Sequence, residues 1–301
     1  MNFLSTNKHN KKERSQESNT KIITLSTCWY ILRSKFDIKT YLQWINNLLS
    51  IVNNFNLVIY TDAKSFKQLV PLIDFSNNNI KIIIKPFEDF YTYRYKDFWI
   101  NNHKKSNLNL HVRTDWKLNM LWNEKVFLVN ETIKNKYFDT LYYGWCDIGY
   151  FRNRPNDLHT RYLSAWPTNK KILNNPFNSS RDYIHYGCVQ NNTINYDKLS
   201  NDITNHYVNK LTTQPSIQFD EICFAGGFFM LRQELIDIYT RLYDEKLMYY
   251  FMNNFIIKDD QTIIMDIIFT NQNLFYIHRE TNEKFDHWFM FQRLLYTIED
   301  F

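Results

Sequence analysis

Between Lys21 and Lys85 the chain runs as a β-branched stretch, an amphipathic stretch and a second β-branched stretch, and then repeats the pattern, which leaves few folds open to it. Ile22 to Thr27 is a short apolar run that ends at Thr27, Cys28 and Trp29, the signature of a strand buried on both faces. From Ile38 to Val52, Tyr41, Leu42, Trp44, Ile45, Leu48, Leu49 and Val52 recur at helical spacing, which predicts a helix with one apolar face. Leu57 to Asp62 predicts a second strand, Lys64 to Leu72 a second helix and Ile80 to Lys85 a third strand. A strand, helix, strand crossover is right-handed and makes its strands parallel, so Asp62 is expected at the same sheet edge as Thr27 and Trp29. The first quarter therefore predicts an α/β fold: a doubly wound, mostly parallel sheet flanked by helices, with ligands approaching the carboxyl ends of the strands.

Farther along, Asp115 to Asn135 carries Trp116, Leu118, Leu121, Trp122, Val126, Phe127 and Val129 on a broad apolar helical face. The aromatics from Phe87 to Arg113 follow no clear period and predict loops or short helices. Arg154 to Leu211 is rich in Asn, Pro and Ser and predicts loops and short elements covering one side of a cleft. Phe224 to Arg232, FAGGFFMLR, reads as an aromatic strand, Gln233 to Phe251 as a helix, and Leu274 to His278 as a strand. Residues 1–20 are polar and without periodicity, which predicts a disordered tail. Residues 21–301 are expected to form one domain.

Composition narrows the function classes. Phe 24, Tyr 21 and Trp 8 far outnumber Gly 5 and Pro 6, so a substantial aromatic core is expected. A formal charge of +5 is mild for 301 residues, and no helix-turn-helix, zinc-finger or RNP pattern accompanies it, so nucleic acid is not an expected partner. Cys28, Cys146, Cys188 and Cys223 are widely spaced with no CxxC, which argues against a disulfide framework and structural zinc. No apolar run approaches the roughly 18 residues needed to span a bilayer, and the amino terminus lacks a secretion signal. A soluble, cytoplasmic protein is the expectation.

The chemistry concentrates in Leu141 to Arg152, LYYGWCDIGYFR, where an apolar run ends in one carboxylate, Asp147, flanked by Cys146 and Gly149. A strand delivers Asp147 to the sheet edge, and the glycine lets the backbone turn away, leaving the carboxylate toward a cleft. An Asp-x-Gly step is also a common turn. Gly226 and Gly227 permit close approach of backbone to a ligand, or mark a bulge. Asp62 suits a helix cap as well as a ligand contact, and Asp259 and Asp260 suit the positive end of the helix they open together with Gln261. Trp29, Trp145 and Tyr150 stand where sugar faces could stack.

The stretches TLSTCWY, YLQWINNLLSIVNNFNLVIYTD, MLWNEKVFLV, LYYGWCDIGYFRNR and FAGGFFMLR, which span most of Thr24 to Arg232, resemble in order and spacing nucleotide-sugar-dependent glycosyltransferases of the GT-A fold, and more closely the HtrL/YibB-like family. The resemblance implies transfer of a sugar from a nucleoside diphosphate donor to an acceptor hydroxyl on a carbohydrate or glycoconjugate. It implies Asp62 near the base or ribose, and Asp147 in the place of an Asp-x-Asp motif that holds Mn²⁺ or Mg²⁺ against the diphosphate. The third position of that motif is Gly149 here, so a metal would rest on Asp147, the diphosphate and a distant residue, for which His278 is preferred over His287. Thr27, Trp29, Arg113, Lys125, Gly226 and Gly227 complete the implied donor site, with Arg152 and Arg154 as further phosphate partners or merely solvated arginines. Asp260 is the first candidate for the carboxylate base of an inverting reaction, Asp220 and Glu221 the next. A non-catalytic nucleotide or carbohydrate-binding module of the same fold is the alternative, and a metal-dependent nucleotidyltransferase a further one.

Overall fold

The computed structural model describes residues 21–168, 171–172, 181–215 and 223–296; the expected tail at 1–20 and the alternative bases Asp220 and Glu221 lie outside the described residues. The elements that position the cleft are β1 (Ile23–Trp29), α1 (Ile38–Leu49), β2 (Asn56–Thr61), α2 (Ala63–Leu69), β3 (Ile80–Ile84), α3 (Lys96–Lys105), α4 (Asn109–Arg113), α5 (Trp116–Lys134) and β4 (Tyr142–Cys146). They are followed by β5 (Ile184–Cys188), α6 (Thr193–Val208), β6 (Phe224–Arg232), α7 (Ile236–Met252), α8 (Asp260–Thr270), β7 (Phe275–Arg279) and α9 (Phe291–Leu294). The helices expected from 38, 64, 115 and 233 form within a few residues of those positions, and short helices occupy 87–113.

The strands make one seven-stranded sheet in the order β3-β2-β1-β4-β6-β5-β7. β1 pairs in parallel with both β2 and β4, β2 with β3, and β5 with β7. β6 alone runs against its neighbours β4 and β5. The chain winds outward from β1 through β2 to β3, then returns to place β4 on the other side of β1. The order reverses there, and in an open α/β sheet that reversal leaves a crevice at the carboxyl ends of the two strands. Trp29 ends β1 and Cys146 ends β4, with Asp147 next in the chain.

Both faces of the sheet are covered, as continuous apolar strands require. Side chains alternate between faces: Cys28, Val58, Tyr143, Trp145 and Phe229 join the core under α5, α7 and α8, whereas Ile23, Leu25, Leu57, Tyr142, Phe228 and Met230 join the core under α1 and α9. α5 docks through hydroxyls as well as carbon, since Thr132 Oγ1 lies 2.8 Å from Ser26 Oγ and 2.9 Å from Tyr60 Oη. Among the described residues no helix is long and apolar enough to cross a membrane.

The stretch from Arg154 to Leu211 departs from expectation, because it contains the fully buried strand β5 and the helix α6, 16 residues long. α6 buries only Leu199, Ile203 and His206, so its apolar stripe is too narrow to stand out in a polar sequence. Strand β5, IHYGC, carries a histidine and a glycine where β-branched residues would have announced it.

Candidate active site

α5 starts where Asp115 caps it, its carboxylate accepting from the Lys117 N–H at 2.9 Å. The helix then runs beneath the sheet with Leu118, Leu121, Lys125 and Leu128 all buried. Lys125 therefore enters the interior in an apolar row, and its ammonium emerges at the crevice between β1 and β4. There Nζ meets three oxygens: Asp147 Oδ1 at 3.0 Å, Asp260 Oδ2 at 2.7 Å and the Gly226 carbonyl at 2.8 Å. An ammonium has three protons to donate, and each finds an acceptor on a different element.

The two carboxylates have unlike surroundings. Asp147 leaves 40% of its side chain exposed, and its Oδ1 also accepts from Trp145 Nε1 at 2.6 Å. Its backbone N–H donates to the Gly227 carbonyl at 2.8 Å and its carbonyl accepts from the Tyr150 N–H at 2.9 Å. Asp260 is the first residue of α8, capped by Asp259, and only 8% of its side chain is exposed. Burial pushes the Asp260 carboxyl up to about 6, with Lys125 opposing and Asp259 adding to the rise. Burial alone would lower the Lys125 ammonium, but Asp147 and Asp260 together outweigh it and hold its pKa above the ordinary value. Cys28 stands nearby, and burial followed by Asp147 holds its thiol far above the ordinary range, so it is no nucleophile at neutral pH.

These groups floor two adjoining clefts of about 140 and 440 Å³ that share Lys35, Trp122, Lys125, Asp147, Gly149 and Arg152. Trp29, Tyr30, Tyr41 and Trp145 line the smaller, and Gly226, Gly227, Asp259, Asp260 and Gln261 the larger. Arg152 is fixed by its Nε donating to the Gly149 carbonyl at 2.9 Å and by its guanidinium 4.3 Å from the Trp44 ring centre. Lys35 Nζ sits 4.8 Å from the Trp122 ring centre. Four basic and three acidic side chains line the larger cleft, a surplus that suits an anionic ligand.

Two of the glycines that line the clefts are required by packing. A Cβ on Gly226 would lie 2.4 Å from Asp260 Oδ2, and one on Gly149 would lie 2.7 Å from Trp44 Cε3. The backbone turns at Gly149 as expected, closed by the Tyr150 N–H donating to the Asp147 carbonyl; no described glycine has positive φ, so what requires a glycine at 149 is close approach of the Trp44 ring. For Gly226 and Gly227 both alternatives hold, since the β5–β6 register slips between Tyr186 and Cys188, opposite the strand segment containing them.

The sequence candidates thus divide. Trp29, Lys125, Asp147, Gly226, Gly227 and Asp260 converge on the clefts. Asp62 does not line them: its Oδ1 accepts from the Ser65 N–H at 2.6 Å as the cap of α2, so of the two roles open to it the cap is the one formed, and the implied place near the base or ribose of a donor in these clefts is corrected. Arg113 is exposed at the end of α4, and Thr27 is buried in β1 with no hydrogen-bond partner for its hydroxyl among the described residues; neither lines the clefts. His278 is also elsewhere. It lies on β7, three places from β4 in the sheet, about 14 Å away at the usual strand spacing. Its Nε2 faces His185 Nδ1 at 3.1 Å, and burial pushes its pKa down to about 3. It cannot join Asp147 around one ion. Asp62→Ala is expected to lower stability by about 1 kcal/mol, the usual worth of a cap, which urea denaturation checks.

Sequence reasoning undervalued Arg152 and passed over Lys35, Trp122 and Lys258, which line the larger cleft. For Arg152 the signal was present, five residues after Asp147 in the same block. Lys35 and Lys258 lie in loops, where no periodicity marks a residue.

No family model matches the chain, and no curated protein matches it. The resemblance to the HtrL/YibB-like family rests on its motifs alone. Among solved structures the chain is similar to mouse xyloside xylosyltransferase 1 in its apo form, at 12% sequence identity and a TM-score of 0.43, over 86% of this chain and 84% of that one.

Proposed function

We propose that this protein is a glycosyltransferase of GT-A type that moves a sugar from a nucleoside diphosphate donor to an acceptor hydroxyl on a carbohydrate or glycoconjugate. The observation that carries this reading is the ammonium of Lys125 bridging Asp147 and Asp260 at the floor of the β1/β4 crevice. A buried charge triad gives weak stability for its desolvation, and strongly perturbed groups that open onto a cleft mark functional sites. The rim fits the ligand: the half-buried Tyr41 and Trp122 leave ring area for a base or sugar, whereas Trp29, Trp145 and Tyr150 are buried and do not, and Arg152 offers a planar fork to phosphate.

In the reaction, the bond between the anomeric carbon and the diphosphate oxygen breaks, and its electron pair leaves with the diphosphate. The acceptor oxygen forms the new bond to that carbon and gives its proton to the Asp260 carboxylate. Lys35 and Arg152 stabilise the negative charge that develops on the leaving group. Asp260 is poised for proton acceptance because burial brings its pKa toward the working pH.

The test is a screen of nucleoside diphosphates and their sugars by thermal shift, followed by release of nucleoside diphosphate from the best donor. A ligand at about a hundred times its dissociation constant adds about 2.7 kcal/mol of apparent stability. Activity is expected to fall about tenfold per pH unit below about 6, where Asp260 takes up a proton. Asp260→Asn should reduce turnover by about 10² to 10⁴ while leaving donor affinity within a few fold. Donor binding without turnover in the native protein would favour the non-catalytic module, and no response to any nucleoside diphosphate or its sugar would reject the transfer reading.

A further inference from the structure

We propose that Lys125 is the resident cation of this site and stands where related chemistry uses a divalent ion, so that donor binding needs no metal. The role assigned to the anion rests on the sugar-transfer reading; the claim about cation occupancy does not.

The donor set decides the matter. A divalent ion of the magnesium or manganese type takes hard oxygen ligands at about 2.0–2.2 Å, with carboxylates supplying charge. The oxygens that converge at this point are Asp147 Oδ1, Asp260 Oδ2 and the Gly226 carbonyl, and each already accepts from Lys125 Nζ at 2.7–3.0 Å. Asp147 Oδ1 accepts from Trp145 Nε1 as well. Asp259 is engaged as the cap of α8. Among the described residues no three His, Cys, Asp or Glu side chains come together as an ion site, and His278 is committed to β7 and His185. An ion entering here would have to expel an ammonium whose stem is buried along α5 and whose charge two carboxylates stabilise.

The same ammonium offsets the charge of both carboxylates. Without it, Asp147 and Asp260 would repel a diphosphate entering between them. With it, Arg152 and Lys35 face the anion from the rim, and the cleft keeps its positive surplus.

The experiment titrates Mn²⁺ alone into the chelator-treated full chain and follows the free-ion electron paramagnetic resonance signal. The native protein is expected to leave that signal intact up to about 1 mM, whereas Lys125→Ala, which leaves the two carboxylates and the Gly226 carbonyl facing each other, should bind Mn²⁺ at least about tenfold more tightly. Stoichiometric binding by the native protein at micromolar Mn²⁺, lost in Asp147→Asn, overturns the proposal. The native arm decides even if the alanine variant fails to fold. In parallel, the affinity for uridine, guanosine and cytidine diphosphates is compared in chelator and in Mn²⁺. Affinity within about twofold supports Lys125 as the cation, and tightening of about tenfold or more by Mn²⁺ overturns it. Absence of binding by any diphosphate counts against the sugar-transfer reading alone, and the metal titration still decides the cation.

Discussion

Lys125→Met should lower the free energy of unfolding by about 3–5 kcal/mol, the usual penalty for removing one partner of a buried ion pair, and should abolish the proposed sugar transfer. Methionine keeps the apolar stem that packs beside Leu121 and Leu128 and removes the ammonium alone. It strands the Gly226 carbonyl and the Asp260 carboxylate, the latter 8% exposed, without their donor. The loss should depend on pH in a definite direction. In the native protein the Asp260 pKa already stands near 6, above the ordinary carboxyl value of 3.8. Between those values the folded state holds a proton that the unfolded state has released, so stability from this group falls as pH rises and levels off above about 6. Removing Lys125 takes away the partner that opposes the rise, so the falling limb moves to higher pH. Urea denaturation at pH 5 and pH 8 checks this: the variant should lag the native protein more at pH 8. A difference under about 1 kcal/mol at pH 8 would show that the triad is not the strongly coupled unit described above.

Gly144→Ala should destabilise the protein by about 3 kcal/mol, at the upper end for overpacking. The added methyl would lie 2.2 Å from the Phe229 carbonyl oxygen and 3.0 Å from Met230 Cα, both backbone atoms of the paired strand β6. A flexible side chain could swing aside; a strand cannot without opening the β4–β6 ladder. That ladder continues to the bond between the Asp147 N–H and the Gly227 carbonyl, so the change should also weaken the proposed nucleoside diphosphate binding from a distance. Equilibrium denaturation together with a binding isotherm measures both effects, and a variant as stable as the native chain would mean that the strands are less closely apposed than described.

The parts of this molecule that could be read from its residues are those governed by local repetition. β1 to β3 follow from unbroken apolar runs and α1, α2 and α5 from helical spacing, and Asp147 and Gly226 drew notice because each stands at an abrupt change of character within an apolar run. What escaped depends on neighbours far along the chain. Asp62 looked as much like a ligand as a cap because nothing local shows where its carboxylate points. His278 seemed near Asp147 because strand order is a tertiary fact, and β5 and β6 lie between β7 and β4. Lys125 was selected as a phosphate contact, yet its place among Leu118, Leu121 and Leu128 on one side of a helix was the stronger clue: a lysine within a buried row needs a buried partner. Glu124 offered the same clue.

That neighbouring glutamate has its own consequence. Its carboxylate accepts from the Tyr91 N–H at 2.7 Å, the Thr92 N–H at 2.9 Å and the Thr92 hydroxyl at 2.6 Å, while the next residue along the helix grips Asp147 and Asp260. Two successive side chains thus tether α5 on two flanks, one to the turn at 91–92 and one to the two carboxylates of the cleft. Any axial slip of that rod would release both anchors at once, so the turn and the crevice are expected to open as one unit, with the amides of 91–92 and of Asp147 exchanging together.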